Sequence, residues 1–330
     1  MPYLLPYSGA RVFPEHLPSS HSLRPWQPGT SAGKTAAVPF EDRLAVNQLT
    51  TLRSSLEQDL LEYREAGVKG IGLSCRKMYD LRPQEIVKLL SLSPLQVSSV
   101  GWIGCFMGYN GHRLPEVLQD AKQVIRLAGR LNAPTVTVLS GPLAGHIRSH
   151  AWRVLRDSLQ QLLPLAEKCR VQLALTPMLP QFRAEWSFIN QLDEALKLLD
   201  EVGHPLLKLN FSSFHSCHES GLLQRIPHFV DKIALVQLAD GIKANKGYEK
   251  VIPGTGVISV DLIVHALEKA GYRGWYELDV WNRDLWQQPT AAIVASGKQA
   301  LLQLDPQRRP LVVERPTALT DTTEFDLLSE

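Results

Sequence analysis

The chain reads as a closed (β/α)8 barrel, and three observations predict it. Short apolar runs recur eight times, each trailed by a segment with apolar residues at helical spacing, the pattern of strand followed by amphipathic helix. The repeating part, residues 41–304, has the roughly 250 residues that eight such units need. No Gly-rich phosphate turn follows the first run, which argues against a doubly wound open sheet.

Residues 1–40 are rich in Pro, Ser and Gly without periodicity and predict an irregular N-terminal arm, read as mobile before it is read as pinned to the barrel by Trp26. The first strand is expected over 44–49, followed by a helix with Leu56, Leu60 and Tyr63 on one stripe and Gly67 at its close. The second strand is 70–73, and Pro83 opens the next helix. The third strand is 97–103; its helix carries Val117, Leu118, Ala121, Val124, Ile125 and Ala128 on one face. The fourth is 135–139, and the helix after it has Trp152, Leu155, Leu159 and Leu162 in register. The fifth strand, 171–175, leads to a helix over about 187–202, the sixth is 206–211, and the seventh is 233–238. Leu262, Ile263, Ala266, Leu267 and Ala270 mark a helix before Gly271; the eighth strand is 275–280 and the last helix about 289–304. A C-terminal tail over 305–330 carries Pro306, Pro310 and Pro316.

Composition narrows the function. Hydrophobic residues make up 44%, ordinary for a chain with a sizeable core, and a net charge of +2 with dispersed basic residues argues against nucleic acid or membrane partners. Four cysteines, Cys75, Cys105, Cys169 and Cys217, form no CxxC pair and suit free thiols in a reducing cytoplasm. No apolar run would span a bilayer, and the start lacks the basic-then-apolar order of a secretory signal; a cytoplasmic location is expected.

Chemistry in such a barrel gathers where strands end. The tips hold Asn47-Gln48, Ser74-Cys75, Gly101-Trp102, Ser140-Gly141, Thr176-Pro177, Ser212-Ser213, the stretch from Gln237 to Asp240, and Asp279. Trp102, Phe106, Tyr109, Trp281 and Trp286 lie near them, as ring platforms or as packing. His215 is either a packed histidine or a titratable group of the site. The loop lysines Lys243, Lys246 and Lys250 read as solvated before they read as a phosphate handle. Strand alternation puts Glu277 on the same inward face as Asp279, and Lys208 on that of Asn210 and Ser212, so a Lys208–Glu277 pair inside the barrel is expected.

The stretches AVNQLTT, SLEQDLLEYREAGVKGIGL, VSSVGWIGCF, LTPMLP, FSSFHS and VQLADG, and above all PGTGVISVDLIVHALEKAGYRGWYELDV and WNRDLW, resemble the xylose-isomerase-like barrels, the sugar phosphate isomerases and epimerases. The resemblance covers 44–304, with AP endonucleases as distant relatives. It implies a site of two Glu, an Asp and a His around one divalent cation such as Mn, Mg, Co or Zn, the two Glu moving the proton. At those positions this chain has Thr176, Ser212, Gln237 and Asp279, while Pro177, His215 and Asp240 are kept. One carboxylate among neutral groups is too little charge for a tightly held dication, so no metal cofactor is expected.

The resemblance therefore implies an isomerase or epimerase acting on a small sugar or sugar-derived carbonyl compound by proton transfer, without the usual metal. Asp279 and His215 are the catalytic candidates, and Thr176, Ser212, Gln237, Asp240, Lys208, Glu277, Asn47 and Trp102 the ligand-binding ones. The alternative is a non-catalytic relative that binds a sugar-like ligand or a protein partner in the same cleft. A homodimer is compatible with the resemblance, though no residue specifies an interface. Repair endonuclease chemistry is disfavoured, because it needs clustered metals and a cationic groove.

Overall fold

The computed structural model describes residues 38–108, 111–245 and 247–308. Almost all of the N-terminal arm with Trp26, the tail from residue 309 on, Tyr109 and Lys246 lie outside the described residues.

The described chain enters through a 3-10 turn, Phe40–Arg43, and runs β1 (Leu44–Asn47), α1 (Leu56–Glu65), β2 (Gly70–Ser74), α2 (Pro83–Ser91), β3 (Gln96–Gly104) and α3 (Leu114–Arg130). It continues through β4 (Thr135–Leu139), α4 (Arg148–Cys169), β5 (Gln172–Leu175), α5 (Leu192–Val202), β6 (Leu207–Ser212), and the one-turn helices α6 (Ser213–Ser216) and α7 (Leu222–Arg225). Then come β7 (Ile233–Leu238), a hairpin of β8 (Asp240–Ala244) and β9 (Gly247–Val251), α8 (Val260–Lys269), β10 (Trp275–Leu278) and α9 (Thr290–Gln303). The barrel closes in the order β1-β10-β7-β6-β5-β4-β3-β2, every pairing parallel. The predicted eight-stranded barrel is the fold.

Local chemistry sets the element ends. Ser55 accepts from the Gln58 amide and caps α1, Pro83 sits in the first turn of α2, and Gly203, at φ 64°, ends α5 in the left-handed conformation. Two segments differ most from expectation. The fifth helix starts at Leu192 because Ser187 bridges Gly141 in a parallel pair, and Phe188 donates to the Gly141 carbonyl. The segment expected as an open loop after β7 is an antiparallel hairpin, paired from Asp240↔Val251 to Ala244↔Gly247.

Side chains inside the barrel stack in layers. Ala45, Leu235 and Trp275 form a closed apolar cluster in the lower interior. Gly70 makes room for it: a Cβ there would lie 2.7 Å from the Trp275 ring. Two residues further along the same strands come Gln237 and Glu277, which pair, and Asn47, two residues beyond Ala45, the β1 partner of Glu277, with its side chain reaching back to Glu277. Strand alternation turns both sets inward, and the stagger between neighbouring strands, with Ala45 of the floor paired to Glu277 of the polar layer, sets their heights.

Candidate functional site

Glu277 is the axis of the polar layer, with no exposed surface. Its Oε1 accepts from Ser98 Oγ and Ser99 Oγ, each at 2.6 Å, and its Oε2 from Asn47 Nδ2 at 2.9 Å and Gln237 Nε2 at 3.3 Å. Two consecutive serines reach the same oxygen because β2–β3 pairing slips there, Ile71 facing Val97 but Gly72 facing Ser99. Burial pushes the Glu277 carboxyl above its usual range, although all four donors pull it down. Gly72 clears the space, since a Cβ there would lie 2.6 Å from Glu277 Oε1.

Lys208 is not its partner. Ser212 and Glu277 both register with Gln237, so Lys208 lies four residues below that level on β6, a drop of roughly 13 Å along a strand. Its Nζ donates to the Asp231 carbonyl at 2.9 Å, at the opposite end of the barrel. Height along the strand, which alternation does not fix, decides the contact. Four neutral donors hold Glu277 in place of an ammonium.

Asn210 links the strands above. Its Nδ2 donates to Thr176 Oγ1 and to Gln237 Oε1, both at 2.9 Å, while its buried Oδ1 has no hydrogen-bond partner among the described residues. Ser212 caps α6 by accepting from the His215 amide at 3.4 Å. The His215 ring stands edge-on to Phe182 and Phe214, and its Nδ1 accepts from the Leu179 amide at 3.3 Å. Burial, then the charge of Lys250, then His218 hold its pKa well below the usual imidazole value, so it is neutral at pH 7. With Nδ1 accepting, the hydrogen-bond geometry assigns the proton to Nε2.

Asp279 follows β10 directly. Its Oδ2 accepts from Lys250 Nζ at 2.5 Å, the two side chains being only 6% and 11% exposed. Its Oδ1 is buried without a partner among the described residues. Lys250 comes from the hairpin: Gly241 pairs with it across β8 and β9, Asn282 Nδ2 donates to its carbonyl at 3.0 Å, and Nζ lies 5.6 Å over the Phe214 ring. Gln181 fixes the hairpin from the other side, exchanging two hydrogen bonds with the Tyr248 backbone, at 2.8 and 2.9 Å. Asp240 has a different task from ligand contact. Its carboxylate accepts from the amides of Gly241, Ile258, Gly254 and Gly256 and shapes the PGTG turn.

Trp102 packs edge-on against Trp186 at 5.2 Å, which meets Trp281 at 5.6 Å, and the Arg76 guanidinium sits over Trp281. Asn47, Thr176, Ser212, Gln237, Glu277, Asp279 and His215 therefore converge; Lys208 does not. Ser98, Ser99 and Trp186 are contributors the sequence reading leaves unmarked, and Lys250, expected as a solvated loop lysine before a phosphate handle, is instead half of a buried ion pair. The Ser98-Ser99 pair inside an otherwise apolar strand was the available signal. For Lys250 the charge beside the cleft was the signal, while its contact with Asp279 depends on the unforeseen hairpin.

The divalent cation implied by the resemblance does not fit this donor set. Thr176 Oγ1, Gln237 Oε1 and Ser212 Oγ already accept hydrogen bonds within the protein, and Asp279 already faces an ammonium. Among the described residues no group of three or more His, Cys, Asp or Glu could hold an ion.

The chain belongs to the xylose isomerase-like TIM barrel family, whose sequence model matches residues 60–303. It is 25% identical over 297 residues to a 3-dehydroshikimate dehydratase of Pseudomonas aeruginosa, covering 83% of this chain but 46% of that one. It is 27% identical over 175 residues to the hydroxypyruvate isomerase of Escherichia coli, covering 52% of this chain and 64% of that one. This chain thus spans less than half of the dehydratase and under two thirds of the isomerase. Among solved structures, the IolI protein with a bound zinc atom shares the fold at a TM-score of 0.70 and 17% identity, covering 82% of this chain and all of that one.

Proposed function

We propose that this xylose isomerase-like barrel acts on a small sugar or sugar-derived carbonyl compound, moving a proton next to the carbonyl without a divalent cation. The observation that carries the reading is Asp279 Oδ1, a buried carboxylate oxygen at a strand end with no donor of its own among the described residues. Held by its other oxygen to Lys250, Asp279 stays oriented and has a free lone pair with which to take a proton. His215, neutral with its proton on Nε2, is the candidate hydrogen-bond donor to a substrate oxygen, and the proton that Asp279 takes goes back to carbon from Asp279. The relatives support the class, since 3-dehydroshikimate and hydroxypyruvate are both carbonyl compounds.

The test is incorporation of solvent deuterium into hydroxypyruvate, 3-dehydroshikimate and a panel of ketoses, followed by NMR. The wild-type chain is expected to exchange the protons next to one carbonyl, and Asp279→Asn to lose about a hundredfold or more in rate. Equal rates in both proteins would remove Asp279 from the chemistry.

A second reading, a non-catalytic binder of a sugar-like ligand, draws on Thr176 and Ser212 at two positions where the resemblance implies carboxylates. Thermal stabilisation by a panel compound without any exchange would favour it.

A further inference from the structure

Lys250 stands at the barrel mouth, and its placement is built rather than incidental. Its backbone is fixed by pairing to Gly241 and by Asn282, the hairpin is clamped by Gln181, and Asp240 secures the hairpin's base through four amides. The ammonium, with three N–H groups, gives one to Asp279 Oδ2 and lies over the Phe214 face. It makes no other hydrogen bond among the described residues.

We propose that the Lys250 ammonium is the resident cation of this site: it excludes a divalent ion from Asp279 and holds the carbonyl oxygen of the substrate. The first half follows from charge and contact. An ion bridging Asp279 to Thr176, Ser212 or Gln237 would stand against a fixed positive charge, with one carboxylate to offset both. The second half rests on the proton-transfer reading above. As Asp279 Oδ1 takes the proton on the carbon next to the carbonyl, the C–H electron pair becomes the C=C bond of an enolate. The carbonyl π pair moves to oxygen, where the ammonium meets the new charge. The proton then returns to carbon, so the reaction is redox-neutral and needs no co-reactant. The geometry suits an oxygen that gains negative charge, as a carbonyl does, better than a hydroxyl that stays neutral.

The test is zinc titration by calorimetry on the full chain, with thermal melts to show that each variant folds. A Thr176→Glu, Ser212→Asp, Gln237→His variant restores the ligand types that the resemblance implies. It is titrated with Lys250 intact, with Lys250→Arg and with Lys250→Met. The expected result is zinc binding about a hundredfold or more tighter with Lys250→Met than in the two charge-retaining proteins. Equal affinities, or no binding by any of the three, would overturn the exclusion role.

The carbonyl role is read separately, by deuterium exchange on hydroxypyruvate or on whichever panel compound the wild type exchanges. Lys250→Met should lower kcat about a hundredfold with little change in KM, and Lys250→Arg should recover part of it. An unchanged kcat in an exchanging system would end that half while leaving the function reading standing. Absence of exchange by the wild type would sink the function reading and with it the carbonyl half, while the zinc series still decides the exclusion half.

Discussion

Glu277 and Asp279 sit two residues apart, yet their surroundings give them different parts. Glu277 is sealed among four neutral donors, and its carboxyl is pushed up by burial; Asp279 faces an ammonium and keeps one oxygen without a donor among the described residues. A group that holds the layer together lies beneath one poised to exchange a proton. The cysteines show how burial silences chemistry at single residues. Burial pushes the Cys75 and Cys217 thiols up to about 12 and Cys105 to about 11. Burial also raises Cys169, but Arg126 and Arg130 oppose it. At pH 8 the first three are almost wholly protonated and unreactive, since the thiolate is the nucleophile. Alkylation of the native protein is therefore expected to label Cys169 first, and all four sites only after denaturation. Rapid native labelling of Cys75, located by peptide mass spectrometry, would contradict this account of the strand tip.

At the scale of elements, the barrel seam depends on a charge brought indoors. Arg43, just before β1, is almost fully buried and donates to Glu268 of α8 at 2.7 Å while lying over the Phe40 and Tyr276 rings. It ties the first strand to the helix that precedes the last one. Arg43→Ala would leave Glu268 without this partner, and Tyr276 without the cation over its ring, and is expected to cost about 3 kcal/mol in urea unfolding. Loss of well under 1 kcal/mol would mean that the seam closes without it. Elements also explain what was legible beforehand. Apolar runs and helical stripes gave every barrel strand to within about two residues, because period and burial are local properties. The hairpin escaped because its clamps, Gln181 and Asn282, come from loops distant in sequence. Lys208 was misplaced because alternation fixes a face and says nothing of depth.

For the molecule as a whole, the interior is a graded column. An apolar floor at Trp275 carries a neutral-donor layer around Glu277, and above it stands the charged pair of Asp279 and Lys250. The sequence resemblance located the mouth and the substitutions at Thr176, Ser212, Gln237 and Asp279, since strand-end motifs are contiguous. It left out the charge that answers those substitutions, which only the folded hairpin delivers. Among the described residues no helix is long and apolar enough to cross a membrane. The most direct measurement is the metal dependence of proton exchange on the substrate the wild-type chain accepts. We predict the same rate after exhaustive chelation and after adding excess Mn2+ or Zn2+. A rate that vanishes on chelation and returns with one bound ion per chain would contradict the account.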